Sequence, residues 1–246
     1  MRSLLVLLLL LCTATLSSAA TGKKVVYSVN GATYEGYLAG PSAAAPLVLL
    51  IHDWDGLTDY EIKRAEMLAQ LGYNAFAVDL FGAGIRPTAM ADRQRLTGEL
   101  YQDREKMRVL LDAGLNAARE NGITGAKVVA AGYCFGGAAV LEMARSGADL
   151  LGFVSFHGGL TTPEGQNYGK TRGHILVLHG TADASVSMQD FAVLAQELEK
   201  NRIPHEMITY SGAPHAFTVF GSDRYREDAD LKSWRRFTEF LADTFK

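Results

Sequence analysis

The residues of this sequence best placed for covalent chemistry are Gly132-Tyr133-Cys134-Phe135-Gly136-Gly137. They follow an apolar run and precede a stretch with helical spacing. This is the G-x-S-x-G pattern of a nucleophile elbow, with cysteine in the serine position. The glycines have a steric reason. At so sharp a turn, Cβ atoms at the flanking positions would collide with strand and helix. Cys134 is thereby held clear above a sheet. The N-terminus of the following helix faces the sulfur and favours thiolate. The Phe135 backbone N–H points into the same space and can stabilise an oxyanion.

A cysteine nucleophile needs a base and an acid to orient that base. In the elbow order both follow the nucleophile, acid first and histidine second. Downstream, a predicted strand from His174 to Leu178 runs into Asp183. The last predicted strand, His205 to Tyr210, runs into His215. Both residues fall in loops at the carboxyl edge of a sheet, where ligands bind in such folds. His174 and His179 begin and end a strand and read as structural. His205 starts the last strand, at the opposite edge. His157 ends a strand at the correct edge and reads as a pocket-wall residue. Asp79 also ends a strand there, but it precedes Cys134 and reads as a turn cap. There is no H-E-x-x-H, no paired cysteine and no short carboxylate cluster, so no metal is expected. Gly82-Ala83-Gly84 follows a strand but lacks a third glycine at dinucleotide spacing, and no P-loop is present. No cofactor is called for.

The elements that must position these residues alternate. Val25 to Val29 and Thr33 to Leu38 read as a hairpin turning at Asn30-Gly31. Pro46 to Ile51, Ala75 to Val78, Lys127 to Tyr133 and Leu150 to Phe156 read as buried strands. Helices are predicted over Tyr60 to Leu71, Phe135 to Arg145, Ser187 to Lys200 and Arg224 to Phe245, with one or two more between Pro87 and Gly122. Strands alternating with long helices specify an α/β fold, a mostly parallel sheet with helices on both faces.

Composition narrows the function classes. Of 246 residues, 48% are hydrophobic and 21% charged, as in a folded globular protein. The net charge of −3 and the absence of any cluster of Lys or Arg argue against nucleic acid and anionic membranes as partners. Arg2, the apolar run Leu4 to Leu11 and the small residues Ser18-Ala19-Ala20 read as a signal peptide over residues 1–20. That run is too short for a membrane anchor. An exported protein, periplasmic or secreted, is therefore expected. Residues 21–246 contain no repeat and no linker, and read as a single domain. Cys134 is the one cysteine they hold, so no internal disulfide is possible. Nothing specifies an assembly beyond a monomer or weak homo-oligomer.

Taken together, Gly-Tyr-Cys-Phe-Gly-Gly at 132–137, Val-Asp-Leu-Phe-Gly at 78–82, Leu-His-Gly-Thr-Ala-Asp at 178–183 and Ala-Pro-His-Ala-Phe at 213–217 resemble the dienelactone hydrolase family of the α/β-hydrolase fold. The resemblance spans most of residues 21–246. It implies Cys134 as nucleophile, Asp183 as acid and His215 as base. Ile51-His52-Asp53-Trp54-Asp55-Gly56 matches the family's first catalytic loop. There the resemblance implies an auxiliary acid at Asp53, tied to Cys134 ionisation, and a second oxyanion N–H at Trp54. The alternative for Asp53 is a carboxylate that stabilises its own loop.

The sequence departs from the family in one respect. The arginines that hold a substrate carboxylate in dienelactone hydrolases proper are missing from the matching positions. One is displaced to Arg86, and the other place holds Val219. Arg86 and Arg224 are the substitutes available on nearby loops. The planar, always-charged guanidinium suits carboxylate recognition. Its loss predicts a substrate other than a small anionic dienelactone, in a more apolar pocket near Trp54, Phe217, Val219 and Phe220. The expected activity is hydrolysis of a small-molecule carboxylic ester or lactone through an acyl-cysteine. The rival expectation is a ligand-binding or thiol redox-sensing member of the same fold.

Overall fold

The computed structural model describes residues 22–246. The expected signal peptide, residues 1–20, lies outside them. Eight strands form one sheet: β1 (Lys23–Val29), β2 (Ala32–Ala39), β3 (Leu47–Ile51), β4 (Asn74–Val78), β5 (Val128–Tyr133), β6 (Gly152–Phe156), β7 (His174–Gly180) and β8 (His205–Tyr210). Their order is β1-β2-β4-β3-β5-β6-β7-β8. The hairpin β1–β2 and the pair β2–β4 are antiparallel, and every other pairing is parallel. Asn30 and Gly31 both take positive φ, as a two-residue turn of this kind demands.

Six helices cover the sheet: α1 (Asp59–Gln70), α2 (Met90–Gln102), α3 (Arg104–Glu120), α4 (Phe135–Ser146), α5 (Met188–Lys200) and α6 (Glu227–Thr244). The stretch from Pro87 to Gly122 thus holds two helices. Asp103 separates them; its side chain caps α3 by accepting from Lys106 N. Alternate residues of the central strands enter two separate cores. Leu47, Leu49 and Ile51 pack under α3 and α4 with Met107, Leu111 and Val140. Val48 and Leu50 pack under α1 and α6 with Leu68, Phe237 and Leu241. Strands buried on both faces explain the unbroken apolar runs in the sequence. None of the helices is long and apolar enough to cross a membrane, among the described residues.

The parallel register puts the ends of β3, β5, β6, β7 and β8 at one edge. Ile51 pairs with Gly132, Tyr133 with Phe156, Phe156 with Leu178, and Gly180 with Tyr210. The loops carrying Asp53, Cys134, His157, Asp183 and His215 leave the sheet at that edge.

Candidate active site

Cys134 sits between β5 and α4 with φ 51° and ψ −112°, outside the regions that non-glycine residues favour. Its amide donates to Phe156 O at 3.0 Å, and its carbonyl accepts from Gly137 N at 3.1 Å. The flanking glycines are required by close approach. A Cβ on Gly132 would stand 2.2 Å from Gly136 O, and one on Gly136 would stand 2.3 Å from Ile51 O. Backbone atoms cannot yield to such contacts. Three of the five non-glycine residues with positive φ, Cys134, His157 and Ala216, cluster at this edge among the described residues. Strain of that kind is held in place by surrounding structure and gathers where function needs it.

Sγ of Cys134 lies 3.0 Å from His215 Nε2. On the far side of the ring, His215 Nδ1 lies 2.8 Å from Asp183 Oδ2. The other carboxylate oxygen of Asp183 accepts from Ser185 N at 2.8 Å and Val186 N at 2.9 Å. Burial pushes this carboxyl up, but the hydrogen bond and charge of His215, with the two amides, outweigh it and hold it below its ordinary value. An ionised Asp183 fixes the proton on Nδ1 and leaves the Nε2 lone pair toward sulfur.

The surroundings of the sulfur disfavour the thiolate. Burial pushes the thiol up strongly, the Asp53 charge adds to this, and the pull of the Phe135 N–H does not overcome them. The helix N-terminus expected to favour thiolate is present but outweighed. Ionisation therefore needs the neighbouring base.

Asp53 is buried and closes its own loop, accepting from Asp55 N at 3.2 Å. Its amide faces Glu61 Oε1 at 3.5 Å, and Gly56 N donates to Asp53 O at 3.5 Å. Burial, then the Asp55 hydrogen bond and the Glu61 charge, raises its carboxyl well above the ordinary range. The amides of Asp53, Asp55 and Gly56 are thus turned into the loop, while Trp54 lines the cavity over Cys134.

That cavity has a volume of about 360 Å³. Trp54, Tyr101, Phe135, Leu160 and Val186 give it aromatic and aliphatic walls; Thr161, Ser185, Asp190 and Arg224 add polar groups. Five residues expected at or near the wall do not line it; one of them, Phe220, is exposed and packs on Tyr60. His157 is fully buried beneath the His215 ring, with centroids 5.4 Å apart, and pairs with Thr218 Oγ1 at 2.8 Å. Phe217 is fully buried between His157 and Tyr210. Val219 is half-buried away from the cavity, in a turn where its amide donates to Ala216 O. Arg86 turns to the carbonyls of Leu57 and Ile85 and to Asp79, 3.7 Å away. Asp79 itself caps its turn, accepting from Phe81 N and Gly82 N. Of the two nearby arginines, Arg224 is the one at the cavity.

Sequence reasoning missed His52. Its Nε2 accepts from Leu80 N at 3.1 Å and its Nδ1 donates to Asp53 O at 2.6 Å. Burial pushes its pKa down, so it is neutral and tethers the Asp53 loop to the end of β4. Its position after β3 was the one available signal. A larger cavity, about 710 Å³, lies at the opposite edge around Arg172, His174, His205 and Arg236. It belongs to the amino ends of β7 and β8, away from Cys134. His179 is buried against Phe191. No convergence of three or more His, Cys, Asp or Glu suited to a metal occurs among the described residues.

Comparison with known proteins agrees with this architecture. The family model described as "Dienelactone hydrolase family" matches residues 34–245. "Protein usf" of Aquifex pyrophilus is 28% identical over 80% of this chain and 87% of its own length. A putative carboxymethylenebutenolidase of Salmonella typhimurium is 26% identical over 84% of this chain and 81% of its own. The crystal structure of a dienelactone hydrolase-like promiscuous phosphotriesterase from metagenomic libraries superposes with a TM-score of 0.85 at 30% identity, covering 92% of this chain and 99% of that one. A match along nearly the whole described chain, on a sheet of this order and polarity, leads to one conclusion: the chain belongs to the dienelactone hydrolase family and is an ester-bond hydrolase of the α/β-hydrolase fold.

Proposed function

We propose that the protein hydrolyses small carboxylic esters or lactones through an acyl-cysteine, with Cys134, His215 and Asp183 as its catalytic residues. The observation that carries this is the aligned chain Sγ–Nε2–Nδ1–Oδ2, with separations of 3.0 and 2.8 Å, on an elbow that opens into a cavity. His215 takes the thiol proton as sulfur attacks the carbonyl carbon. The carbonyl oxygen, now negative, is held by the N–H groups of Phe135 and Trp54. Collapse expels the alcohol, which takes the proton from His215, and leaves a thioester. His215 then draws a proton from water, the hydroxide adds to the thioester, and the acid leaves as Cys134 is restored.

Asp53 serves in this reading mainly to close the loop that carries Trp54, and any charge on it disfavours the Cys134 thiolate. The cavity supports a substrate other than a small anionic dienelactone. Its one arginine, Arg224, is offset by Asp190 in the same lining, and the remaining walls are largely apolar. A redox-sensing role is less well supported, because a sensor cysteine needs ready thiolate and this thiol is pushed the other way. The test is p-nitrophenyl acetate turnover by the reduced protein beside Cys134→Ala. Multiple turnover that disappears in the variant is expected. Turnover that survives in Cys134→Ala removes Cys134 as nucleophile.

A further inference from the structure

Tyr101 stands in the last turn of α2, and its side chain reaches the cavity that holds Cys134. Its ring is clamped from several directions. It packs edge-on against Phe135 with centroids 5.3 Å apart at 74°. The Arg104 guanidinium lies over it, 4.8 Å from the centroid. Arg104 also donates through Nε to Tyr101 O at 2.9 Å and is held 3.6 Å from the fully buried Glu142 carboxylate. The ring and its backbone are thus fixed by one arginine that is itself anchored.

The hydroxyl takes no part in that clamp. Among the described residues it has no hydrogen-bond partner; Tyr133 shares that state, but its hydroxyl is sealed in the core, whereas Tyr101 is partly exposed at the cavity. It lies over Gly159, where an added Cβ would be 3.8 Å from it. Gly159 lines the same cavity as Cys134 and Phe135. A phenylalanine would satisfy every packing contact of this site, so the oxygen is available for another partner. Burial, followed by the charge of a Cys134 thiolate, pushes the phenol above its ordinary value. The group keeps its proton and is suited to donate rather than to act as a base.

We propose that the Tyr101 hydroxyl is a third hydrogen-bond donor to the carbonyl oxygen of the reacting ester, beside the Phe135 and Trp54 amides. The assignment rests on the acyl-cysteine reading. The donor keeps its proton throughout, and its hydrogen bond strengthens as the carbonyl oxygen gains charge. The ring packs on the side chain of Phe135, the residue whose N–H is one of the other donors, and it lines the same cavity as Cys134. A donor to a developing oxyanion is worth about tenfold to a few hundredfold in rate.

The experiment compares wild type with Tyr101→Phe by three readouts. These are kcat and KM for p-nitrophenyl acetate, inhibition by an alkyl trifluoromethyl ketone, and alkylation of Cys134 by iodoacetamide. The ketone adds the thiol across its carbonyl and places an oxyanion where the ester's would form. Tyr101→Phe is expected to lower kcat at least tenfold with KM near wild type, and to weaken ketone binding by a similar factor. The alkylation rate and the unfolding temperature stay near wild type. Kcat and ketone affinity within twofold of wild type, in a folded variant, overturn the assignment. If wild type shows no ester turnover, the hydrolase reading fails separately. Ketone binding then still decides on Tyr101: weaker in the variant upholds the donor, and equal binding rejects it.

Discussion

Replacing Asp183 by asparagine changes one atom and is expected to remove most of the activity. The reason lies in the two sides of the carboxylate. One oxygen accepts from Ser185 N and Val186 N at 2.8 and 2.9 Å; the other faces His215 Nδ1 at 2.8 Å. Two fixed N–H donors require an oxygen, so the amide oxygen of the variant stays with them. Flipping the amide would set an NH2 against both donors, at a cost of about 1–3 kcal/mol for each buried group left unpaired. The NH2 therefore faces His215 and forces Nδ1 to accept. The ring proton moves to Nε2, 3.0 Å from Sγ. Nε2 then has no lone pair for the thiol proton, and the thiol, pushed up by burial and Asp53, does not ionise without it. The corresponding change in a serine triad costs roughly ten-thousandfold, and a loss of about a thousandfold or more in kcat/KM is expected here. The assay is p-nitrophenyl acetate hydrolysis at pH 7, with thermal unfolding to show that the fold persists. Asp183→Ala sharpens it, since the space left by the carboxylate lets Nδ1 donate to water and keep the useful tautomer. A folded Asp183→Asn that loses less than tenfold, or that is more active than Asp183→Ala, refutes the tautomer argument.

Three further predictions concern the scaffold. Burial raises the Glu61 carboxyl to about 7 from an ordinary value of 4.5, against the hydrogen bonds from Thr58 that lower it. The folded protein therefore holds a proton that the unfolded chain releases. Stability from this group is fully present below about pH 4.5 and is lost as pH rises to about 7, by roughly 3 kcal/mol. Glu61→Gln mimics the protonated form and keeps an oxygen for Thr58. Its stability relative to wild type, read by urea unfolding, should rise between pH 5 and pH 7, and a constant difference would contradict the shift. Gly136→Ala should destabilise the protein by about 3 kcal/mol or more, because its Cβ meets the carbonyl oxygens of Ile51 and His52 at 2.3 and 2.6 Å. Gly98→Ala, mid-helix with open space around it, should instead stabilise by about 0.5–1 kcal/mol in the same unfolding measurement.

The fold was legible wherever local pattern and burial agree. The β1–β2 turn and Gly132, whose added Cβ would meet Gly136, each have a cause that acts within a few residues. Boundaries moved where a longer-range partner decided them. β7 extends to Gly180 because His179 and Gly180 pair with Thr209 and Tyr210. α6 starts at Glu227, not Arg224, because Phe217 O holds the Arg226 amide and a turn from Ser222 to Tyr225 precedes it. The edge on which Cys134, Asp183 and His215 gather was legible, since strand polarity sets which loops share it. The pocket wall was not. Proximity in sequence to His215 placed Phe217 and Val219 at the wall, but the loop turns them inward or aside. Tyr101 and Thr161 enter from α2 and the loop after β6, whose facing depends on tertiary packing.

Under the acyl-cysteine proposal, the same dependence makes Cys134 a nucleophile only with substrate in place. Helix geometry alone favours the thiolate, as the Phe135 N–H does in this structure. Burial and the charges of Asp53 and Asp183 act the other way and prevail. Each of the opposing groups also has a constructive part. Asp183 sets the His215 tautomer, and Asp53 holds together the loop that presents Trp54. The carboxylates that suppress a free thiolate are therefore the ones that build the site in which it can be used. In the proposed reaction, an ester that fills the cavity displaces water and offers the sulfur a carbonyl carbon. The negative charge then leaves the sulfur for an oxygen facing N–H donors, away from the carboxylates. The charge is disfavoured where it starts and favoured where it ends, which is how a preorganised site lowers a barrier without stabilising the resting state.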